Sequence, residues 1–501
     1  MTTSKKIVVI GGGLGGISAA ISLAQSGFDV SLYEKNAHLG GKLNRLEQDG
    51  FGFDLGPSIL TMPRIFERLF HRSDKRMSDY VTISRLDVEW RSFFPDGVKI
   101  DLHQNLQQMF SEHNPSLTPE DKKDYEKLLA YSKKLYDVTE KGYFGEGSDN
   151  VRDILKHHGM KETLTQFDLF HSMFDGIDKR IKNPHLRDML AYMIKYVGSS
   201  PYDAPAILNM LLYMQHKEGA WYIHGGMHKL AEALVRLGKE VGVNFHPSTE
   251  ISRLHTQDHR VVGAELANGE QIHADYFVSN MEVIPAYKHL LQEDEPFVEK
   301  LEKKFEPSSS GIVMHIGVNR TYPELAHHNF FYPDNLKEQM TRIFHDKQLP
   351  TDPTIYLVNV NKTDPSQAPA GCENIKILPH IPPIQDRPFT SADYEEFRDV
   401  VLTKLERMGL KDLRKHIITE DFWTPEDIER NYYSHRGSIY GTVSNKKINQ
   451  GFKHPKQSSK YRNLYFVGGT VNPGSGMPMV TLSGQQVSER IVQAEQGAND
   501  D

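Results

Sequence analysis

The chain has 501 residues, a formal net charge of -7 and 38% hydrophobic residues, a composition typical of globular proteins. This length is too great for one compact core and predicts two domains or one interrupted domain. The acidic balance, without a long run of Lys or Arg, argues against nucleic acid as a partner. Cys372 is the only cysteine, which excludes internal disulfides and Cys-based metal sites. No stretch reaches the roughly 18 apolar residues that cross a bilayer, so we expect no spanning segment.

The first elements predict the start of a doubly wound sheet. Residues 6–10 (KIVVI) have the pattern of a buried strand, and residues 17–25 have the pattern of a helix after a glycine cluster. Residues 30–34 (VSLYE) predict a second strand. A strand, a helix and a second strand in this order form a βαβ unit.

A helical segment follows, at about residues 118–214. Residues 118–120 (TPE) predict a helix start with an N-cap, a first-turn proline and an acidic first turn. The pair at 183–184 (NP) repeats this signal before residues 186–197, whose apolar positions follow an amphipathic spacing. That amphipathic stretch could dock on lipid or pack in the core, and core burial is the favoured interpretation.

Later blocks return to alternating strands and helices. Residues 229–241 predict a helix, and a final helix is expected from about Thr481. Asn268-Gly269 supplies the positive-φ positions of a tight hairpin turn. Strands are expected near residues 250–254, 261–266, 271–274 and 464–467.

These elements predict an α/β fold. A doubly wound, Rossmann-like nucleotide-binding domain is assembled from three separated segments and is interrupted by an α+β substrate domain. The predicted nucleotide-binding segments are 1–105, 221–285 and 451–501. The predicted insertions are a helical, membrane-associated segment at 106–220 and a second substrate segment at 286–450.

A glycine motif opens the first helix. Gly11, Gly13 and Gly16 match G-x-G-x-x-G between a predicted strand and a predicted helix. The first glycine permits the tight turn, the second lets a pyrophosphate approach the backbone, and the third lets helix pack on strand. Glu34 closes the second strand 18 residues after Gly16 and can accept both hydroxyls of a ribose. This arrangement predicts a bound dinucleotide, with the phosphates at the helix N-terminus.

Two further stretches bear on which dinucleotide is bound. Gly40-Gly41-Lys42 follows the second strand, and residues 53–57 (FDLGP) come shortly after it. With the glycine motif and Glu34, they resemble the amine-oxidase-like flavoprotein superfamily, whose members use these features for FAD. The resemblance therefore implies FAD rather than a nicotinamide cofactor.

The C-terminal segment resembles a smaller group of proteins within that superfamily. Residues 463–469 (NLYFVGG) and 472–477 (NPGSGM) form a second glycine-rich cradle before the last helix. This run resembles the signature of bacterial-type phytoene desaturases and their relatives. The chain departs from it at Thr470, Val471 and Asn472, where the desaturases carry small residues and then a histidine before the proline.

Over essentially its full length the chain resembles a branch of that family that oxidises a terminal methyl group of a C30 carotenoid. The resemblance implies non-covalent FAD, a hydrophobic tunnel, 4,4'-diaponeurosporene as substrate, an aldehyde product and molecular oxygen as co-substrate. It also implies peripheral attachment to membrane lipid on the cytoplasmic side. The matching stretches are 11–25, 51–63, 196–205, 280–285, 325–330 and 464–486.

The predicted cofactor contacts come from all three nucleotide-binding segments. They are Gly11, Gly13, Leu14, Gly15, Gly16, Glu34, Lys35, Gly41, Lys42, Gly56, Pro57, Ile251, Gly468, Gly469, Gly476, Met479 and Val480. No metal site is expected, because His327 and His328 are adjacent and no third ligand is placed.

Asn472 is the predicted catalytic residue. Its amide could hold a water or dioxygen beside the flavin, yet it is a poor base at neutral pH and would not remove a neighbouring proton. The alternative is structural, with Asn472 capping the last helix or satisfying loop carbonyls. Aromatic residues could line the polyene channel or simply pack in the core; the candidates are Phe93, Phe94, Phe167, Phe170, Tyr192, Tyr196, Trp221, Phe330, Phe331 and Tyr440.

Three other functions fit the same fold. A carotene desaturase would insert double bonds instead of oxygen, and the departure at 471–472 argues against it. A non-catalytic prenyl-lipid carrier would not need the glycine motif with Glu34. Amine oxidation is the third, since many such enzymes also hold flavin non-covalently.

Overall fold

A computed structural model describes residues 4–111, 114–145, 147–445 and 447–499. The strands are β1 Lys6–Ile10, β2 Asp29–Tyr33, β3 Arg45–Gln48, β4 Phe51–Asp54, β5 Ile83–Arg85, β6 Trp90–Phe93, β7 Lys99–Leu102, β8 Trp221–Ile223, β9 Asn244–His246, β10 Ile251–Gln257, β11 Arg260–Leu266, β12 Gln271–Ile272, β13 Tyr276–Ser279, β14 Ser310–Gly311, β15 Val313–Val318, β16 His328–Phe331, β17 Ile355–Val358, β18 Glu373–Ile381, β19 Ile417–Trp423 and β20 Leu464–Phe466.

The α-helices separate and flank these strands. They are α1 Leu14–Gln25, α2 Pro63–His71, α3 Leu106–Met109, α4 Pro119–Thr139, α5 Val151–Gln166, α6 Met173–Asp178, α7 Pro184–Ala191, α8 Met210–Glu218, α9 His228–Glu240, α10 Val283–Pro285, α11 Glu295–Lys304, α12 Leu336–Thr341, α13 Ser391–Arg407, α14 Leu413–His416, α15 Pro425–Tyr432 and α16 Met477–Asn499. Single 3-10 or π turns occur at Met77–Asp79, Glu140–Gly145, Tyr192–Tyr196, Ala206–Asn209, Ala286–Leu290, Arg342–Asp346, Val360–Lys362, Pro365–Gln367 and His435–Gly437.

The nucleotide-binding part is built on a five-stranded parallel sheet. Its strand order is β20-β13-β1-β2-β9, so strands from all three predicted segments meet in one sheet. Helices α1 and α16 pack closely. A Cβ added to Gly484 in α16 would lie only 2.5 Å from the carbonyl oxygen of Gly15 in α1. Ser18 Oγ also donates to the carbonyl oxygen of Thr481 at 2.6 Å. The α/β fold is confirmed.

The predicted element types agree with the structure, and their boundaries shift. The first helix begins at Leu14 rather than Ile17, and the last begins at Met477 rather than Thr481, because both start directly at a glycine-rich loop. Thr118 forms the predicted N-cap with a capping box. In the hairpin between β11 and β12, Gly269 has the predicted positive φ, at 89°. The prediction of a positive φ at Asn268 is wrong, because only the glycine of this turn adopts that backbone conformation.

An eight-stranded sheet forms the floor of the substrate part. Its order is β19-β15-β18-β17-β16-β6-β7, with β14 paired to β18 at the side. The pair β16–β6 is parallel and the other pairs are antiparallel. Strands β6 and β7 precede residue 105, so this sheet recruits chain from the first predicted nucleotide-binding segment.

The amphipathic stretch at 186–197 is part of the core. Leu186, Met189, Leu190 and Ile194 are at most 1% exposed and pack together with the aromatic residues of the eight-stranded sheet. The helix α7 ends at Ala191 and continues as a 3-10 turn. Of the two interpretations of this stretch, the structure favours core burial over lipid docking. Among the described residues, no helix combines the length and apolar character needed to cross a bilayer.

Candidate cofactor and substrate site

One cavity of about 1020 Å³ runs from the carboxyl ends of β1 and β2 into the substrate part. Every predicted cofactor contact except Gly16 lines it. The same cavity continues between the helical insertion and the eight-stranded sheet, past Tyr143, Tyr196 and Tyr356. A dinucleotide and a second, apolar ligand can therefore meet inside one continuous cavity.

The glycine motif has the geometry that its spacing predicts. Gly11 has a positive φ of 94°, which turns the chain from β1 into α1. A Cβ at Gly16 would lie 2.1 Å from the carbonyl oxygen of Gly11, so Gly16 packs helix against turn and does not face the cavity. A Cβ at Gly41 would lie 3.0 Å from Gly13 Cα, so these two backbones form a narrow cleft.

The N-terminus of α1 is open to the cavity. Its N-cap, Gly13, has no side chain to accept a hydrogen bond, and its first turn carries no acidic residue. The amide of Gly16 donates to Asn280 Oδ1 at 3.0 Å, which leaves the amides of Leu14 and Gly15 for an anion. Asn280 follows β13 and was not predicted as a site residue, although carboxyl ends of parallel strands are where such ligands bind.

Glu34 is buried at the carboxyl end of β2 and is held by backbone amides. Its Oε2 accepts from Gly12 N at 2.7 Å, and its Oε1 accepts from Asn36 N at 2.8 Å. A carboxylate oxygen has capacity for further donors, and Glu34 lines the cavity. Its orientation is therefore fixed before any ribose hydroxyl arrives.

Replacing Glu34 by alanine should lower the affinity for FAD at least about tenfold, because charge-assisted hydrogen bonds contribute about 1.5–3 kcal/mol each. Fluorescence titration of the stripped protein with FAD measures this. Glu34→Gln, which keeps the size without the charge, should give an intermediate loss. Glu47→Ala is the control, because Glu47 is exposed and does not line the cavity. Undiminished binding by Glu34→Ala would contradict the assignment.

A second helix begins at the other end of the cradle. Helix α16 starts just after Gly476, whose φ is 98°, and Gly468 has a φ of 106°. Gly468 N donates to Ser483 Oγ at 2.9 Å, which fixes the loop against the helix. Met479 and Val480 add an apolar surface beside these amides. Two helix N-termini and an apolar wall match a ligand with phosphates at one end and a flat ring system at the other.

Asn472 does not face this cavity. It is fully buried, and its Oδ1 accepts from Tyr143 Oη at 2.8 Å and from Lys453 N at 2.9 Å. Its Nδ2 donates to carbonyl oxygens of Asp149, Lys453 and His454 at 3.2–3.3 Å. The amide has no atom left for water or dioxygen. The structure thus favours the structural alternative for Asn472 over the catalytic one.

The substrate end of the cavity is mostly apolar and aromatic. Of the ten aromatic candidates, Phe167, Tyr196 and Tyr440 line it. Phe93, Phe94, Tyr192, Phe330 and Phe331 are buried in the core of the substrate part and do not line the cavity. Wall residues that the sequence did not indicate are Tyr143, Phe144, Tyr356, Trp423 and Phe452.

Lys376 is one of the polar groups in this wall. Its Nζ donates to the carbonyl oxygens of Asp54, at 2.9 Å, and Gly56. Burial lowers the pKa of Lys376 to about 8, although the charge of Asp54 acts to raise it. This lysine ties β18 to the turn that carries Gly56 and Pro57, and so fixes the cofactor cradle to the substrate sheet.

The flavin-containing amine oxidoreductase family matches residues 14–492 of this chain. The chain belongs to this family. It is an FAD-dependent oxidoreductase, and the open end of α1, the buried Glu34 and the second helix start at Gly476 fit FAD. Among the described residues, no group of three or more His, Cys, Asp or Glu side chains is arranged to hold a metal ion.

Individual relatives show how far the similarity extends. The chain is 60% identical over 488 residues to a 4,4'-diaponeurosporene oxygenase of Staphylococcus aureus (strain Mu50 / ATCC 700699), covering 97% of this chain and 98% of that protein. An oxidoreductase from Methanosarcina mazei has a similar fold, with a TM-score of 0.66, 15% identity and coverage of 97% and 100%. A Rab GDI from Plasmodium falciparum has a TM-score of 0.55, 12% identity and 97% coverage of both chains.

Proposed function

We propose that this enzyme oxidises a terminal methyl group of 4,4'-diaponeurosporene to the aldehyde, 4,4'-diaponeurosporen-4-al, in staphyloxanthin-type carotenoid biosynthesis. The observation that carries the proposal is the 60% identity, over 97% of the chain, to the S. aureus oxygenase. The apolar cavity that continues from the cofactor cradle supports it, because a long polyene requires such a channel.

The residues of this chain position the substrate and exclude water from it. Bound FAD supplies the redox chemistry by accepting electrons from the substrate. The aromatic walls, including Tyr356 and Phe452, exclude water and hold the polyene in line with the cradle. Lys376 holds the turn at Gly56 against the substrate sheet by a hydrogen bond to the carbonyl oxygen of Gly56. Molecular oxygen is the proposed source of the oxygen atom.

The product test uses 4,4'-diaponeurosporene with purified holoenzyme under labelled dioxygen and, separately, in labelled water. We expect the mass of one added oxygen with the loss of two hydrogens at a terminal methyl group. The label should come from dioxygen when the aldehyde is analysed quickly, since aldehydes exchange oxygen with water. Products that lose only pairs of hydrogens would instead establish a desaturase.

Two rivals are separated by the same experiment. A desaturase of this fold gives a lengthened chromophore without added oxygen. A prenyl-lipid carrier gives unchanged substrate and needs no FAD, and the similarity to the Rab GDI is at the level of the fold alone. The open N-terminus of α1 and the buried Glu34 disfavour the carrier, because both serve a dinucleotide.

We further propose that the cavity opens onto lipid at the inner face of the cytoplasmic membrane, with α5 and the residues that follow it lying in the interface. Phe170 is 81% exposed and directly follows the wall residue Leu169, and Met160 on α5 is 63% exposed. Exposed basic residues on the same helix, including Arg152 and Lys156, suit an anionic surface.

The double variant Met160→Ser/Phe170→Ser should partition to anionic liposomes at least about tenfold more weakly, since burying each apolar side chain contributes about 1.5–3 kcal/mol. Flotation of wild type and variant with vesicles measures this. Ile418→Ser is the matched control, because Ile418 is 52% exposed and does not line the cavity. Equal flotation of the double variant and the control would exclude this docking face.

A further inference from the structure

Lys195 is an amine inside the apolar part of the cavity wall. It lies in the 3-10 turn Tyr192–Tyr196, is 6% exposed and lines the cavity. Among the described residues, no carboxylate or carbonyl oxygen accepts a hydrogen bond from its Nζ. Its neighbour Tyr196 accepts a hydrogen bond from Ser475 Oγ at its carbonyl oxygen, which places this turn beside the C-terminal glycine loop.

Four aromatic rings surround the Lys195 amine. Its Nζ lies 3.8 Å from the ring centroid of Trp90, 4.3 Å from that of Phe330, and 4.8 Å from those of Tyr196 and Tyr356. The Phe330 and Tyr356 rings stack, with centroids 4.8 Å apart. Two rings of the cage therefore support each other, and the amine lies among aromatic faces.

The tyrosine hydroxyls of this cage are committed elsewhere. Tyr196 Oη donates to Gln215 Oε1 at 2.8 Å, and Tyr356 Oη lies 2.9 Å from His328 Nδ1. These hydroxyls are thus turned away from Lys195, and no other residue in the described part of the chain forms a hydrogen bond with its Nζ.

The cage disfavours the charged form of this amine. Burial without a carboxylate lowers the pKa of Lys195 well below its ordinary value. Aromatic faces return only part of the lost hydration, at about 0.5–2 kcal/mol each. A neutral amine has a free lone pair and is a nucleophile towards carbonyl carbon.

We propose that Lys195 forms a reversible imine with the aldehyde end of the polyene that the enzyme produces. The inference rests on the proposed function, which places an aldehyde in this cavity. The nitrogen lone pair attacks the carbonyl carbon, one C–N bond becomes a C=N bond, and the two amine protons leave with the carbonyl oxygen as one water. No oxidant or reductant is consumed. Addition of one water reverses the reaction and frees the aldehyde.

Such a link would retain the oxidised end in the tunnel until it is hydrolysed. It makes Lys195 a product-binding residue that selects a carbonyl terminus over the hydrocarbon terminus of the substrate. An arginine at this position would have a similar length, but its guanidinium stays charged and could not form the imine.

The test supplies 4,4'-diaponeurosporen-4-al itself to FAD-loaded enzyme in detergent micelles, followed by sodium cyanoborohydride. We expect one covalent adduct, heavier than the protein by the aldehyde mass less one oxygen atom, on the peptide that contains Lys195. Lys195→Arg should lose the adduct while it still binds FAD. Lys217→Arg should keep it, because Lys217 also lies over a tyrosine ring, that of Tyr136, but does not line the cavity.

Peptide mapping of the wild type makes the result independent of how the variants fold. No adduct, or an adduct spread over other lysines, overturns the proposal for Lys195. The aldehyde is supplied, so the outcome does not depend on whether the enzyme makes it. If trapping at Lys195 fails while labelled dioxygen still enters the product, the imine is wrong and the proposed function stands. If trapping succeeds and turnover gives only loss of hydrogen, the proposed function is wrong and the amine remains a carbonyl-binding site.

Discussion

Replacing Gly16 by valine is expected to lower the affinity for FAD by about 100-fold or more. A Cβ at this position would lie 2.1 Å from the carbonyl oxygen of Gly11 and 3.1 Å from Asn280 Cβ. The first of these contacts is with backbone, so the turn itself must move. Such overpacking costs about 3 kcal/mol where the surroundings cannot relax, and the displaced turn carries the amides that we propose as the phosphate donors.

Isothermal titration of the stripped protein with FAD measures this loss. Circular dichroism checks that the variant is folded, because the sheet on either side of the turn should survive. Gly497→Val is the matched control, since a Cβ added at Gly497 has no atom within 4 Å to contact. If Gly16→Val binds FAD as tightly as the wild type, the turn is not the phosphate site.

Asp149→Ala should destabilise the protein by about 3–5 kcal/mol, the range for breaking a buried ion pair by removing one partner. Asp149 Oδ1 accepts from Lys456 Nζ at 2.6 Å, and its Oδ2 accepts from Arg490 Nη1 at 2.6 Å. The Lys456 side chain is 0% exposed, so removal of the carboxylate leaves a buried charge without its partner.

Thermal and urea unfolding of wild type and variant measure the change. Asp137→Ala is the control, because Asp137 pairs with Lys133 at 2.5 Å on the surface, where such pairs contribute about 0–1 kcal/mol. Burial opposes ionisation of Asp149, but Lys456 and Arg490 hold its pKa below the ordinary value. The ion pair therefore adds to the free energy of unfolding at pH values above the ordinary pKa of an aspartate. This stabilisation is lost as the pH falls through the lower pKa that Asp149 has in the folded state. Equal melting curves for the two variants would contradict this.

The cofactor cradle could be predicted from the sequence because its signals are local. Gly11, Gly13 and Glu34 lie within one βαβ unit, and their spacing alone defines a turn, a helix start and a strand end. The C-terminal loop at 468–476 also carries its own glycines. Asn280 was missed because a single asparagine after a strand has no distinctive pattern, although it occupies the centre of the glycine turn.

The substrate side could not be predicted in the same way. Three of the four rings around Lys195, those of Trp90, Phe330 and Tyr356, come from strands that are separated in sequence. Their meeting depends on the parallel pairing of β16 with β6, a long-range contact that no periodicity records. The residue types of the wall were anticipated, but which face of each strand meets the cavity was not.

The contacts of Asn472 affect any attempt to convert this enzyme into a desaturase by substitution at this position. This position differs from the desaturase pattern, yet its amide joins the loop before α16 to Asp149 and to Tyr143, a wall residue. An imidazole introduced here would have to replace several fixed hydrogen bonds in a filled interior. A histidine placed at position 472 alone would therefore break the contacts of this loop with Tyr143 and Asp149 before it changed the chemistry.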